Sequence, residues 1–227
     1  MLGGLLREVH RVGQMWWTGA MSGDHSIEHR GLVTGVAAAV FAGASLVAWK
    51  EPLPGWELDL TEWINGADEW VAAALYPVMQ LGTLGAPVIA SLGILIGTRD
   101  RLLAAATLVT GVVTWFAAKA VKQVFERGRP LQYLPEVEVR EGAGTGLGFI
   151  SGHSAVAAAT AMMVIAAVPR PWRWVPAVLA GLVGLGRIVH GVHLPADVVG
   201  GWAFGTLVAV GVLEVVDLVH RTQGRTA

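Results

Sequence analysis

Six stretches of this chain contain no Asp, Glu, Lys or Arg, and they decide what it can fold into: residues 31–49, 70–98, 102–118, 142–169, 174–186 and 198–213. A helix crossing a bilayer needs roughly 20 mostly apolar residues, fewer where polar groups at its ends reach the interface. The runs therefore predict six membrane-crossing helices, over 31–49, 72–97, 102–124, 152–168, 173–190 and 197–218. Composition agrees, since only 15% of the 227 residues are charged, against about 25% in ordinary soluble domains. A net charge of −1 supplies no basic field for nucleic acid. The chain has no cysteine, which excludes disulfides, thiolate chemistry and iron–sulfur clusters.

An even number of spans puts both termini on one side. That side would carry Arg7, Arg11, Arg30, Arg99, Arg101, Arg170, Arg173, Arg221 and Arg225, whereas the opposite side carries the acidic segment 51–69. The excess of arginine assigns the first side, with the termini, to the cytoplasm. Residues 1–17 are amphipathic and predict a surface helix on the cytoplasmic leaflet. Trp56, Trp63 and Trp70 recur every seven residues, with Leu60 and Ala67 on the same face and Glu57, Asp59, Glu62 and Asp68 elsewhere. That pattern predicts a helix lying on the outer interface, between the first two spans. The pairs Gly31/Gly35, Gly93/Gly97 and Gly201/Gly205 suit close approach of helices within one bundle. No repeat or second domain is evident, so residues 1–227 read as a single all-α, polytopic membrane unit with an N-terminal amphipathic helix.

His25, Glu28 and His29 match an H-x-x-E-H spacing found in zinc peptidases. A third ligand is missing, so this is read as a polar patch beside the first span, and neither metal nor cofactor is expected. Ionisable residues at membrane depth are costly and point to function. They gather in three places: Lys119, Lys122, Arg127 and Arg129 at the end of the third span; Ser151-Gly152-His153 at the start of the fourth; Arg187, His190, His193 and Asp197 between the fifth and sixth. The six-span layout brings all three to the outer face. Lys122, Arg129 and Arg187, with no obvious carboxylate for each, suit a multiply charged oxyanion such as phosphate. Ser151 and Gly152 follow a glycine-rich loop and open a helix, whose N–H groups favour an anion. His193 and Asp197 stand four apart, with Pro195 suited to a first helical turn. An aspartate accepting from one ring nitrogen leaves the other basic, which makes His193 a candidate nucleophile and leaves His153 as proton donor to the leaving oxygen.

These spacings resemble the type 2 phosphatidic acid phosphatase superfamily, whose motifs run Lys-x6-Arg-Pro, Pro-Ser-Gly-His and Ser-Arg-x5-His-x3-Asp. Here they read Lys122-QVFERG-Arg129-Pro130, Ile150-Ser151-Gly152-His153 and Gly186-Arg187-IVHGV-His193-LPA-Asp197. Two positions depart from the pattern, isoleucine for proline at 150 and glycine for serine at 186. The resemblance implies a metal-independent lipid phosphate phosphohydrolase working through a phosphohistidine. It implies His193, His153 and Asp197 as catalytic, and Lys122, Arg129, Arg187, Ser151 and Gly152 as phosphate-binding. A polyprenyl diphosphate such as undecaprenyl diphosphate, or a phosphatidate-type lipid such as phosphatidylglycerol phosphate, is the implied substrate, at the outer face of a bacterial plasma membrane. The alternatives are a phosphotransferase passing the same group to another hydroxyl, and a lipid-binding or transport protein without turnover. Oligomeric state is not legible.

Overall fold

A computed structural model describes residues 30–224. The N-terminal amphipathic helix, the His25/Glu28/His29 patch, Arg7, Arg11 and Arg225 lie outside the described residues. Those described form helices, with no strand among them: α1 (Arg30–Ala48), α2 (Gly55–Asn65), α3 (Glu69–Met79), α4 (Gly85–Thr98), α5 (Arg101–Phe125), α6 (Gly152–Ala167), α7 (Trp174–Val189) and α8 (Pro195–Gly224). Helices α1, α5 and α8 are long and apolar enough to cross a membrane, as is α7 with the single turn Arg170–Trp172 before it; α6 is a shorter apolar helix.

Large apolar side chains such as Val36, Ile89, Ile96, Phe116 and Leu218 face outward, while the interior is built largely from alanine. This inversion of a soluble protein is what hydrocarbon on the outside permits, because small residues let helix backbones come close. Helix α6 is the centre. Residues 154–161 are all buried, and it packs chiefly on α8 and α7. Gly201 and Gly205 make the α6–α8 approach possible: a Cβ at Gly205 would lie 2.0 Å from the Ala155 carbonyl oxygen, and one at Gly201 2.6 Å from that of Ser151. Gly31, Gly35 and Gly93 have open space instead.

The expected span 72–97 is broken. Helices α3 and α4 meet at 67°, around a single 3-10 turn over Gln80–Gly82. Pro77 removes a hydrogen bond from the last turn of α3, and Pro87 is tolerated only in the first turn of α4. The break has a structural use. Gly82 sits so close to the start of α6 that a Cβ there would fall 2.7 Å from the Cβ of His153. The tryptophan-bearing segment is also two helices rather than one, since Gly66 closes α2 and Trp70 belongs to α3. Trp56, Trp63 and Trp70 do point outward. Glu57, on another face as expected, is fully buried.

Ion pairs fix the two ends of the bundle. At one end Arg30 of α1 meets Asp217 of α8 at 2.7 Å, and Asp100, between α4 and α5, meets His220 at 3.5 Å. The other end gathers the close of α5, the starts of α6 and α8, and the close of α7. The three motifs lie there.

Candidate active site

Each motif residue is carried by a helix end. Lys122 belongs to the last turn of α5. Arg129 lies just beyond, before a short turn opened by Pro130. Ser151 caps α6, its hydroxyl accepting from the Ser154 N–H at 3.4 Å and from the Ser154 hydroxyl at 3.0 Å. Arg187 lies in the last turn of α7. Asp197 closes the start of α8, where its Oδ2 accepts the Leu194 N–H at 3.0 Å, a reciprocal of helix capping that also pins the carboxylate.

Lys122, Arg129, Gly152, His153, Arg187 and His193 converge on a cavity of about 430 Å³, completed by Trp115, Ala118, Lys119, Gln123 and Leu147. His193 Nδ1 lies 3.2 Å from Asp197 Oδ2. The carboxylate accepts there, so Nδ1 holds the proton and Nε2 is the nitrogen left for chemistry. Burial, reinforced by Lys122, Arg187, Arg129 and His153, holds the His193 imidazole well below the ordinary histidine range. Ser151 and Asp197 are fully buried and stand behind the cavity wall. The N–H of Ser151 is engaged by the Asp197 carbonyl at 2.8 Å, which ties the second motif to the third. His190 also lies off the cavity wall, its Nδ1 donating to the Gly186 carbonyl at 2.8 Å.

The cations are not bare. Lys122 Nζ donates to the carbonyls of Leu147 (2.9 Å) and Gly148 (2.7 Å). Arg129 donates to the carbonyls of Leu147 (3.5 Å) and Ala143. Arg187 pairs with Glu141 at 3.3 Å, which corrects the expectation that it has no carboxylate. All these acceptors belong to one segment, 141–148, whose turns use Gly142 and Gly146 at positive φ. Lys119, outside the motifs, lies 5.1 Å from the centroid of the Trp115 ring.

Sequence reading missed the back of the site. Arg127 is buried, with one guanidinium nitrogen on Asp197 Oδ1 at 3.1 Å and another on Glu57 Oε2. The other Glu57 oxygen accepts the Ala196 N–H at 2.9 Å. The legible signal was a polar stripe, Glu57, Thr61 and Asn65, on the face of α2 opposite its tryptophans.

A family model described as the PAP2 superfamily matches residues 101–221, more than half of the chain. The chain belongs to this superfamily. An undecaprenyl-diphosphatase of Sulfolobus acidocaldarius is 28% identical over 117 residues, 51% of this chain and 56% of that protein. A decaprenylphosphoryl-5-phosphoribose phosphatase of Mycolicibacterium smegmatis is 36% identical over 85 residues, 37% of this chain and 44% of that protein. The chain thus spans about half the length of the curated relatives it matches. The crystal structure of a transmembrane PAP2 type phosphatidylglycerolphosphate phosphatase from Bacillus subtilis superposes with a TM-score of 0.69 at 20% identity, covering 82% of this chain and 96% of that one. That of Aquifex aeolicus LpxE gives 0.65 at 20% identity, covering 71% and 96%. At that identity the likeness is one of fold, and the fold is that of multi-pass membrane proteins.

Proposed function

We propose that this PAP2 chain is a metal-independent lipid phosphate phosphohydrolase. One observation carries the reading: the His193–Asp197 pair abuts a cavity walled by Lys122, Arg129, Arg187 and His153. The lone pair of His193 Nε2 attacks phosphorus, and the bond from phosphorus to the leaving oxygen breaks. His153 gives that oxygen its proton. Asp197 keeps the Nδ1 proton in its hydrogen bond and offsets the positive charge on the phosphorylated ring. The three cations, with N–H groups at the start of α6 around Gly152, stabilise the phosphoryl oxygens as charge shifts among them. Ser151 serves through the cap it gives that helix. Water then bonds to phosphorus as His153 takes its proton, the phosphorus–nitrogen bond breaks, and inorganic phosphate leaves with His193 restored.

The setting selects the substrate class. A site at one end of an apolar bundle takes a headgroup while the tail stays in the bilayer. A polyprenyl diphosphate or a phosphatidate-type lipid suits it, and the names of the relatives agree. We read residues 1–227 as one unit with six spans, counting α1, the bent α3–α4 pair, α5, α6, α7 and α8. The excess of arginine expected at the far end supports cytoplasmic termini and a site on the outer face of a bacterial plasma membrane.

The test is phosphate release from a polyprenyl diphosphate, and from phosphatidic acid, by purified protein in detergent with EDTA present. Wild type should turn over, and His193→Ala should lose at least about 1,000-fold in kcat, as removal of a nucleophile does. Substantial turnover by the variant would sink the role of His193. Absence of release by wild type, with lipid still bound, would point to a binding protein.

A further inference from the structure

The steps above leave two buried charged residues unused. Arg127 and Glu57 lie behind Asp197, both excluded from solvent. We propose that Glu57, acting through Arg127, is a positioning residue that fixes the Asp197 carboxylate against His193 and keeps its negative charge available to the imidazole during phosphoryl transfer. The inference rests on the reading of His193 as nucleophile.

Geometry supplies the first half of the argument. Asp197 Oδ2 is set by the Leu194 N–H and by His193, and Oδ1 by the guanidinium of Arg127. With both oxygens held, the carboxylate cannot turn away from the ring. A planar guanidinium forked between two carboxylates is itself fixed. Glu57 grips both the guanidinium and the Ala196 N–H, in the same first turn of α8 that carries Asp197. A helix start favours these anions.

Charge supplies the second half. Among groups so fully buried, screening is weak and formal charges must balance locally. Were Arg127 to face Asp197 alone, the pair would be neutral and little negative charge would remain for the ring. Adding Glu57 leaves the set with one net negative charge. The imidazole becomes positive only when it bonds to phosphorus, and the set is balanced in that state rather than before it. Stabilisation that grows along the reaction is what raises kcat.

Glu57 arrives on α2, which lies between α1 and the bent pair, and α2 has other anchors. Asn65 donates to the carbonyls of Glu138 (2.9 Å) and Val189 (3.0 Å) and accepts the Glu138 N–H at 2.9 Å. The helix therefore stays docked when the Glu57 charge is removed.

Glu57→Gln keeps the size of the side chain and its bond to Ala196 but deletes the charge. The expected result is a fall in kcat of about 30-fold with KM within about 3-fold. Inhibition by orthovanadate, which adopts the five-coordinate geometry of the transferring group, should weaken by a similar factor of about 30, while inhibition by inorganic phosphate moves less than about 3-fold. Glu57→Gln with Arg127→Gln restores a lone charged Asp197, and should recover much of the lost vanadate affinity. A merely structural ion pair predicts otherwise: vanadate and phosphate would weaken together, and the double variant would be no better than the single. Either result overturns the proposal, as does wild-type kcat in Glu57→Gln. If Glu57→Gln does not fold, Arg127→Lys replaces it. That variant keeps the charge but cannot fork, and should show the same split at about 5-fold; equal effects on both inhibitors would again overturn it. His193→Ala, run in parallel, separates the failures: turnover by that variant sinks the proposed function, whereas an inactive His193→Ala beside an unaffected Glu57→Gln sinks only this inference.

Discussion

The back and the front of the site are built differently. Behind the cavity, His193, Asp197, Arg127 and Glu57 form one buried chain of side-chain contacts, anchored on N–H groups at the start of α8. In front, Lys122 and Arg129 donate to main-chain carbonyls of segment 141–148, and Arg187 leans on the half-exposed Glu141. The back is buried from bulk solvent, so each group depends on its neighbour. The front holds its cations on acceptors that a phosphate exceeds in charge, so under the proposed function these contacts would give way to a ligand at small cost. On the proposed mechanism the comparison implies a division of labour: orientation of the nucleophile is built in, and binding of the phosphoryl group is completed by the substrate.

The largest consequence belongs to the back. Asp197→Asn should lower kcat by about 1,000-fold or more, because the amide neither enforces the Nδ1–H tautomer nor offsets charge on the ring. It also leaves Arg127 with half its partners, and breaking a buried pair costs about 3–5 kcal/mol. Unfolding temperature in detergent should therefore fall together with single-turnover rate. A loss under about 10-fold would mean that the back does not orient the nucleophile, and the contrast between the two halves would collapse.

Most of the architecture was legible because charge-free runs announce themselves. Helix α1 occupies Arg30–Ala48 against an expected 31–49, and α5 Arg101–Phe125 against 102–124. The break between α3 and α4 was not seen, because hydropathy runs on unchanged through it; Pro77, Gly82, Gly85 and Pro87 were the signal. In the candidate site, spacing and the family resemblance singled out the motif residues, and one cavity gathers Lys122, Arg129, Gly152, His153, Arg187 and His193. Glu57 was not, because its partner Arg127 is 70 residues away and the tryptophan repeat drew the acidic residues outward. Glycine at 186 was visible only as a departure from serine. Its reason is spatial: a Cβ there would lie 2.6 Å from Cγ and 2.8 Å from Sδ of Met79, itself fully buried. Gly186→Ser should accordingly destabilise by about 1–3 kcal/mol, as overpacking does. In a Met79→Ala background the same substitution should cost less, read as a smaller fall in unfolding temperature than in wild type. An equally stable single variant would mean that α3 yields easily and that the bent pair does not brace the end of α7.

The smallest effect tests the front. Under the proposed function Glu141 would compete with a bound phosphate for Arg187, and the Glu141 side chain is 28% exposed against 6% for Arg187. A pair with one partner partly exposed contributes modestly, about 1 kcal/mol or less. Deleting the charge with Glu141→Gln therefore removes a weak competitor. Inorganic phosphate should inhibit about 2–5-fold more tightly, and kcat should stay near that of wild type. Raising the ionic strength should shrink the difference, since salt already screens the exposed partner. If phosphate instead binds about 10-fold more weakly, Glu141 is holding Arg187 in its working position rather than competing for it. The front would then be built in as firmly as the back, and the substrate would find its cations already in place rather than displace their partners.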